Sequence, residues 1–159
     1  MDASDLKDKK TGTLVPLLYL DDFFEMVSCH FDCINRSLEI KFEHCENGTV
    51  LKELVVLFDR HSVISCRTAP FLYLVEYFDT YGRDTSWRIG QIPYVVEVEG
   101  DSSFVAWLLG SGGHLFYDNE ENMRQIRHFI VHCEDDCVEV LATAAPQISA
   151  GPLKVTSCR

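Results

Sequence analysis

The sequence predicts an α+β domain, mainly an antiparallel β-sheet of about six strands in hairpins, with one or two short helices packed on one face. Three observations predict it. Ile126 to Ala142 alternates apolar and polar residues on both sides of an acidic break, with Phe129, Val131 and Cys133 before it and Val138, Val140 and Ala142 after it. Asn47-Gly48 lies between two further alternating runs and is the strongest hairpin signal, because a type I′ turn needs positive φ at both central residues. Helical spacing with a capping residue before it and a glycine stop after it is clear only once, over Phe104 to Gly113.

Residues 1–12 mix charges without an apolar run and read as a disordered tail, residues 13–148 as the domain, and residues 149–159 as a flexible C-terminal tail. In LVPLLYL, Pro16 disfavours a regular helix or a central strand, which leaves an edge strand or an extended segment. Asp21-Asp22 is placed to cap a short helical turn carrying Phe23, Phe24, Met26 and Val27. Cys29, Phe31 and Cys33 then alternate with His30 and Asp32. A two-residue loop at Asn35-Arg36 pairs Cys33 with Leu38, Phe31 with Ile40 and Cys29 with Phe42. The Asn47-Gly48 turn sets Glu43 opposite Lys52. Leu51 to Phe58 is apolar on both faces, as in a central strand covered on two sides, and Glu53 has no place in that reading.

Asp59-Arg60-His61 marks another tight turn, before a strand from Ser62 to Arg67. Residues 70–80 carry both helical spacing and strand composition. Pro93 to Glu99 reads as a strand with Tyr94, Val96 and Val98 inward and Val95, Glu97 and Glu99 outward. Asp101 or Ser102 caps the next helix, whose apolar face is Phe104, Val105, Trp107, Leu108 and Leu109. In the last hairpin, a loop over Glu134 to Cys137 pairs Cys133 with Val138, Val131 with Val140 and Phe129 with Ala142. Slipping by one residue would put Glu139 among the apolar side chains.

Twenty-five acidic against 14 basic residues give a net charge of −11, which makes nucleic acid a poor ligand. The apolar runs are far shorter than the roughly 20 residues a membrane helix needs. The N-terminus has neither a secretory nor a transit pattern, so the cytoplasm is expected, with all seven cysteines as reduced thiols.

Cys-x-x-x-Cys occurs at Cys29/Cys33 and Cys133/Cys137, and His-x-x-x-His at His128/His132. On a strand rising about 3.3 Å per residue such pairs stand roughly 13 Å apart, too far for one zinc ion. No metal and no cofactor is expected. Strand parity buries Cys29, Cys33 and Cys133 as small hydrophobes and leaves Cys137 in a turn. The outward face carries His30, Asp32, Glu39, Glu97, Glu99, His128, His132 and Glu139. These types suit a metal-dependent hydrolase, but outward strand positions are polar chiefly because they are solvated. LGSGGH comes after the helix instead of preceding it, and no activated nucleophile is visible, so catalysis is not expected.

The hairpin HFIVHCEDDCVEVLA, the unit PYVVEVEGDSSFVAWL and the run HFDCINRSLEIKFE together resemble small uncharacterised bacterial proteins of immunity-protein-like type, over residues 27–143. The resemblance lies in apolar positions and turns. It implies a protein that caps a toxin by occlusion; a structural accessory role is the alternative. With the acidic excess, it points to a basic protein partner and to loop residues as contacts: Glu120, Glu121, Glu134, Asp135 and Asp136, with Trp87 and Tyr117 as aromatic anchors.

Overall fold

The computed structural model describes residues 13–70, 93–110, 125–132, 136–151 and 156–157. Strands dominate them: β1 (Thr13–Leu18), β2 (Glu25–Asp32), β3 (Ser37–Glu46), β4 (Thr49–Phe58), β5 (Val63–Pro70), β6 (Val95–Glu99), β7 (Arg127–His132), β8 (Asp136–Ala142), β9 (Gln147–Gly151) and β10 (Thr156–Ser157). The single described helix, α1 (Ser103–Gly110), joins β6 to β7. Sheet 1 runs β1-β6-β7-β8-β5, and sheet 2 runs β10-β4-β3-β2, with β9 also paired to β4. All pairings are antiparallel. The architecture is therefore mainly β, in two sheets, and not one six-stranded α+β sheet. The difference arises at the Asp59–Ser62 turn, where the chain leaves β4 and β5 pairs with β8. Alternation marks a strand's faces and is silent about its partner.

The core fills the space between the sheets. Leu38, Ile40 and Phe42 of β3 and Leu54, Val56 and Phe58 of β4 cluster with Val95, Phe129, Val131, Val138 and Val140 of sheet 1. The Phe58 and Phe129 rings stand 5.5 Å apart. Sheet 1 is buried on its other face as well, through Leu14, Val96, Val98, Ile130 and Leu141, and α1 sets Phe104 on that side against His128. The parity reading thus separates the two faces of β7 and β8 correctly, but the face it leaves to solvent is a second buried layer. Val95, expected outward, belongs to the core between the sheets for the same reason.

Both long hairpins sit two residues away from the tightest pairing. Phe31 opposes Leu38 and Cys29 opposes Ile40; Val131 opposes Val138 and Phe129 opposes Val140. A two-residue shift leaves every side chain on its original face, so alternation cannot distinguish the two registers. Asp32 accounts for the longer first loop. Its Oδ1 accepts the Ile34 and Asn35 amides at 3.0 Å each, its Oδ2 accepts Asn35 Nδ2 at 2.8 Å, and Arg36 closes the turn at φ 53°. Arg36 then donates from Nε to the Val63 carbonyl at 3.0 Å and from its guanidinium to the Ile64 carbonyl, tying this turn of sheet 2 to β5 of sheet 1.

Asn47 and Gly48 have φ of 51° and 77°, as a type I′ turn requires. A bulge near His44 and Cys45 displaces the rest of the β3–β4 ladder by one residue, so Glu43 faces Glu53 and not Lys52, which pairs with His44. β1 is an edge strand, as Pro16 demands. Asp21-Asp22 caps no helical turn: the residues form a bend, Asp22 pairs with Lys52, and β2 begins at Glu25. Gln147–Gly151, expected to lead into the tail, forms β9 on β4. Residues 1–12 and 71–80 lie outside the described residues.

Cysteine placement departs from expectation too. Cys29 and Cys33 are exposed free thiols, because β2 is an edge strand and the shifted register leaves Cys33 in the loop. Cys137 is fully buried within β8. Cys45 is disulfide-bonded, so not all seven cysteines are the reduced thiols expected. An odd number of cysteines excludes a fully closed framework, not a single bond. No described helix is long and apolar enough to cross a membrane.

Candidate functional site

Among the described residues, two parts of the molecule place chemistry-bearing side chains together, and they lie on different sheets. The first is the face of sheet 2 turned away from the core. Here Leu38, Ile40 and Phe42 point inward, so Glu39, Lys41 and Glu43 point outward. Across the strands, Glu25 of β2 opposes Glu43, and Glu43 opposes Glu53 of β4. Three glutamates therefore stand in one row across three strands, an arrangement that costs stability because directly opposed like charges repel. Among the described residues none of the three is in a salt bridge, since Lys41 pairs with Glu39 at 3.5 Å and Lys52 with Asp22. Beside the row, Val55 and Leu57 of β4 are half-buried on the same outer face, between Glu39 and Lys41 of β3 and Gln147 and Ser149 of β9. This explains why β4 reads as apolar on both faces, and where Glu53 fits.

Beside the middle of β4 a cleft of about 440 Å³ opens between the β1–β2 connection and β9. Phe24, Leu54 and Ala150 line it with carbon, while Asp21, Asp22 and Glu53 supply carboxylates and Lys52 a cation. The Lys52 hydrogen bond and charge hold the Asp22 carboxyl below the usual carboxylate range. A cleft with an apolar lining and acidic groups suits a long cationic side chain, whose stem packs on carbon while its head meets carboxylate.

The second part is a polar chain buried between sheet 1 and α1. Ser102 caps the helix: its Oγ accepts the Val105 amide at 3.2 Å, and its carbonyl accepts the Ala106 amide at 3.0 Å. The same hydroxyl lies 2.8 Å from His128 Nδ1. His128 Nε2 lies 3.1 Å from Glu139 Oε1, and Glu139 Oε2 accepts Arg67 Nε at 2.6 Å. The Glu139 carboxylate can only accept, so in the neutral imidazole Nε2–H donates to it, Nδ1 is left bare and the Ser102 hydroxyl donates to Nδ1. His128 and Glu139 are 1% and 0% exposed; Arg67, at 35%, reaches the surface with its guanidinium 4.0 Å over the Phe104 ring. Burial pushes the Glu139 carboxyl up, but the hydrogen bonds from His128 and Arg67 outweigh it and hold the group below its ordinary value.

Of the residues assigned to the outward face from the sequence, His128 and Glu139 converge in this chain. Glu97 instead pairs with Arg127 at 2.7 and 2.8 Å, and His30 and Glu39 stand opposite each other on sheet 2. Among the described residues no three His, Cys, Asp or Glu side chains gather as a metal site. His132 packs its ring against Tyr94, and burial pushes it down to about 4. Glu120, Glu121, Glu134, Asp135, Trp87 and Tyr117 lie outside the described residues. Asp136 is placed only as the first residue of β8, opposite Pro70.

Sequence reasoning missed Ser102 as more than a cap, and it missed Arg67 altogether. A signal existed. The same-face neighbours of Glu139 are Cys137 and Leu141, and that of His128 is Ile130, so each polar residue interrupts an apolar row and must have a partner. No protein-family model matches the chain, and comparison with curated proteins and with solved structures also found no match.

Proposed function

We propose that the chain is an acidic binding protein that works by occluding a basic protein partner, in the manner of an immunity protein. The outer face of sheet 2 and the adjoining cleft are its docking surface. The observation that carries this reading is the Glu25–Glu43–Glu53 row, a set of opposed like charges that a purely structural sheet has no reason to keep. A cationic partner relieves the repulsion on binding, Val55 and Leu57 offer apolar contact, and the net charge of −11 steers the encounter.

Glu43→Lys turns both opposed pairs of the row into opposite-charge pairs. It is expected to stabilise the isolated protein by about 0.5–1 kcal/mol while slowing association with the partner at low salt. The partner is recovered with the wild-type protein from the native host, and its association is followed against ionic strength. An acidic partner, or an association rate that Glu43→Lys leaves unchanged at low salt, refutes the reading.

A further inference from the structure

We propose that Ser102 is a nucleophile that accepts an acyl group from a carboxylic ester, with His128 as its base and Glu139 and Arg67 as positioning residues. The site involves sheet 1 and α1, and it is independent of the docking surface on sheet 2. Three features carry it. The Ser102 hydroxyl lies 2.8 Å from an imidazole nitrogen, within reach for direct proton transfer. The opposite nitrogen of that imidazole lies 3.1 Å from a fully buried carboxylate, which fixes the tautomer and favours the imidazolium formed during attack. Arg67 holds the second carboxylate oxygen at 2.6 Å and so keeps Glu139 aimed at the ring. A bare helix cap needs only the Val105 amide; nothing in capping calls for a histidine, a glutamate and an arginine behind the hydroxyl.

Access and charge stabilisation fit the same chemistry. Ser102 is half-buried and flanked by the exposed Asp101 and Ser103, whereas His128 and Glu139 are buried. The N-terminal end of α1, the positive end of its dipole, lies beside the cap and favours negative charge developing there. In the first step Oγ bonds to the ester carbonyl carbon as its proton passes to Nδ1. The tetrahedral intermediate then collapses, the C–O bond to the alcohol breaks, and the alcohol leaves with the proton from Nδ1. Water, giving a proton to Nδ1 as it attacks, displaces Ser102, which regains that proton, and the carboxylic acid departs. No oxidant, metal or cofactor enters the balance.

The test uses the full chain with two probes, a fluorophosphonate and p-nitrophenyl acetate, and maps the adduct by peptide mass spectrometry. Ser103, exposed and adjacent, is the internal control: ordinary surface reactivity favours it. The expected result is an adduct on Ser102 in the folded protein, absent after unfolding in urea and absent in Ser102→Ala. His128→Gln, if folded by circular dichroism, lowers the labelling rate by about a hundredfold or more. Modification of Ser103 in place of Ser102, equal labelling in urea, or no adduct on the folded wild-type protein overturns the proposal, and none of these readings needs a variant to fold.

Discussion

Glu139→Gln is the sharpest perturbation, because the sequence and the structure predict opposite results for it. By strand parity Glu139 looks outward, and the change should cost almost nothing. In the structure both carboxylate oxygens are engaged, Oε1 with His128 Nε2 at 3.1 Å and Oε2 with Arg67 Nε at 2.6 Å, at 0% exposure. An amide has only one oxygen. If its NH2 faces Arg67, the guanidinium must swing away from its place over Phe104; if it faces His128, the imidazole proton must move to Nδ1 and the Ser102 hydroxyl loses its acceptor. One charge-assisted bond is lost in either case, at about 1.5–3 kcal/mol, and the partial exposure of Arg67 keeps the total below that of a wholly buried pair. For a domain of this size, about 2–3 kcal/mol lowers the thermal midpoint by roughly 5–10 °C. Circular dichroism melts and urea titrations measure it. Glu97→Gln is the control: its carboxylate also holds an arginine through two bonds, but with side-chain exposures of 13% and 38%, and it should cost about 1 kcal/mol or less. Equal shifts for the two variants would refute the buried network. The same pair predicts an acid slope. A carboxylate held below its unfolded value contributes stability that is complete above that value and disappears as pH falls through the folded one, and Glu139→Gln removes this part of the slope.

Val140→Asp places a charge opposite Phe129 at a position with no solvent access, and should destabilise by about 4 kcal/mol in a urea titration. His132 titrates at about 4 in the folded state against 6.5 unfolded. The unfolded chain therefore takes the proton first, and stability drops by about 3 kcal/mol as pH falls from 6.5 to below 4; melts of His132→Leu across that range should show a shallower loss. Gly48→Ala has open space for its Cβ but must hold φ near 77°, so it should cost about 1 kcal/mol through backbone conformation alone, read as a small drop in the urea midpoint.

Sequence legibility divides along physical lines. Faces were readable: Phe129, Val131, Val138 and Val140 share one side because side chains alternate strictly. The Asn47-Gly48 turn was readable because few residue pairs accept positive φ twice. Register was not, since two-residue shifts leave the alternation intact and the loop is chosen by local bonds such as those of Asp32. Which face meets water was not readable either. His128 and Glu139 look solvated until α1 is laid over them, and a buried polar pair differs from an exposed one only through what covers it. The row on sheet 2 escaped notice because the bulge near His44 moved Glu43 from Lys52 to Glu53.

The pairing of β5 with β8 has a consequence during synthesis. β2, β3 and β4 are joined by short turns and can zip together as soon as they emerge, whereas β5 must wait for a partner far along the chain: Arg67 and Glu139 are 72 residues apart. At ordinary rates of translation that interval is on the order of ten seconds. Throughout it, the edge of β5 that takes β8 is open, beside the β2–β4 hairpins whose inner face is Leu38, Ile40, Phe42, Val56 and Phe58. The window for misassembly thus opens at β5 and closes when β8 arrives, and Arg67, charged and in the middle of the waiting strand, keeps other chains off its edge until Glu139 is there to receive it.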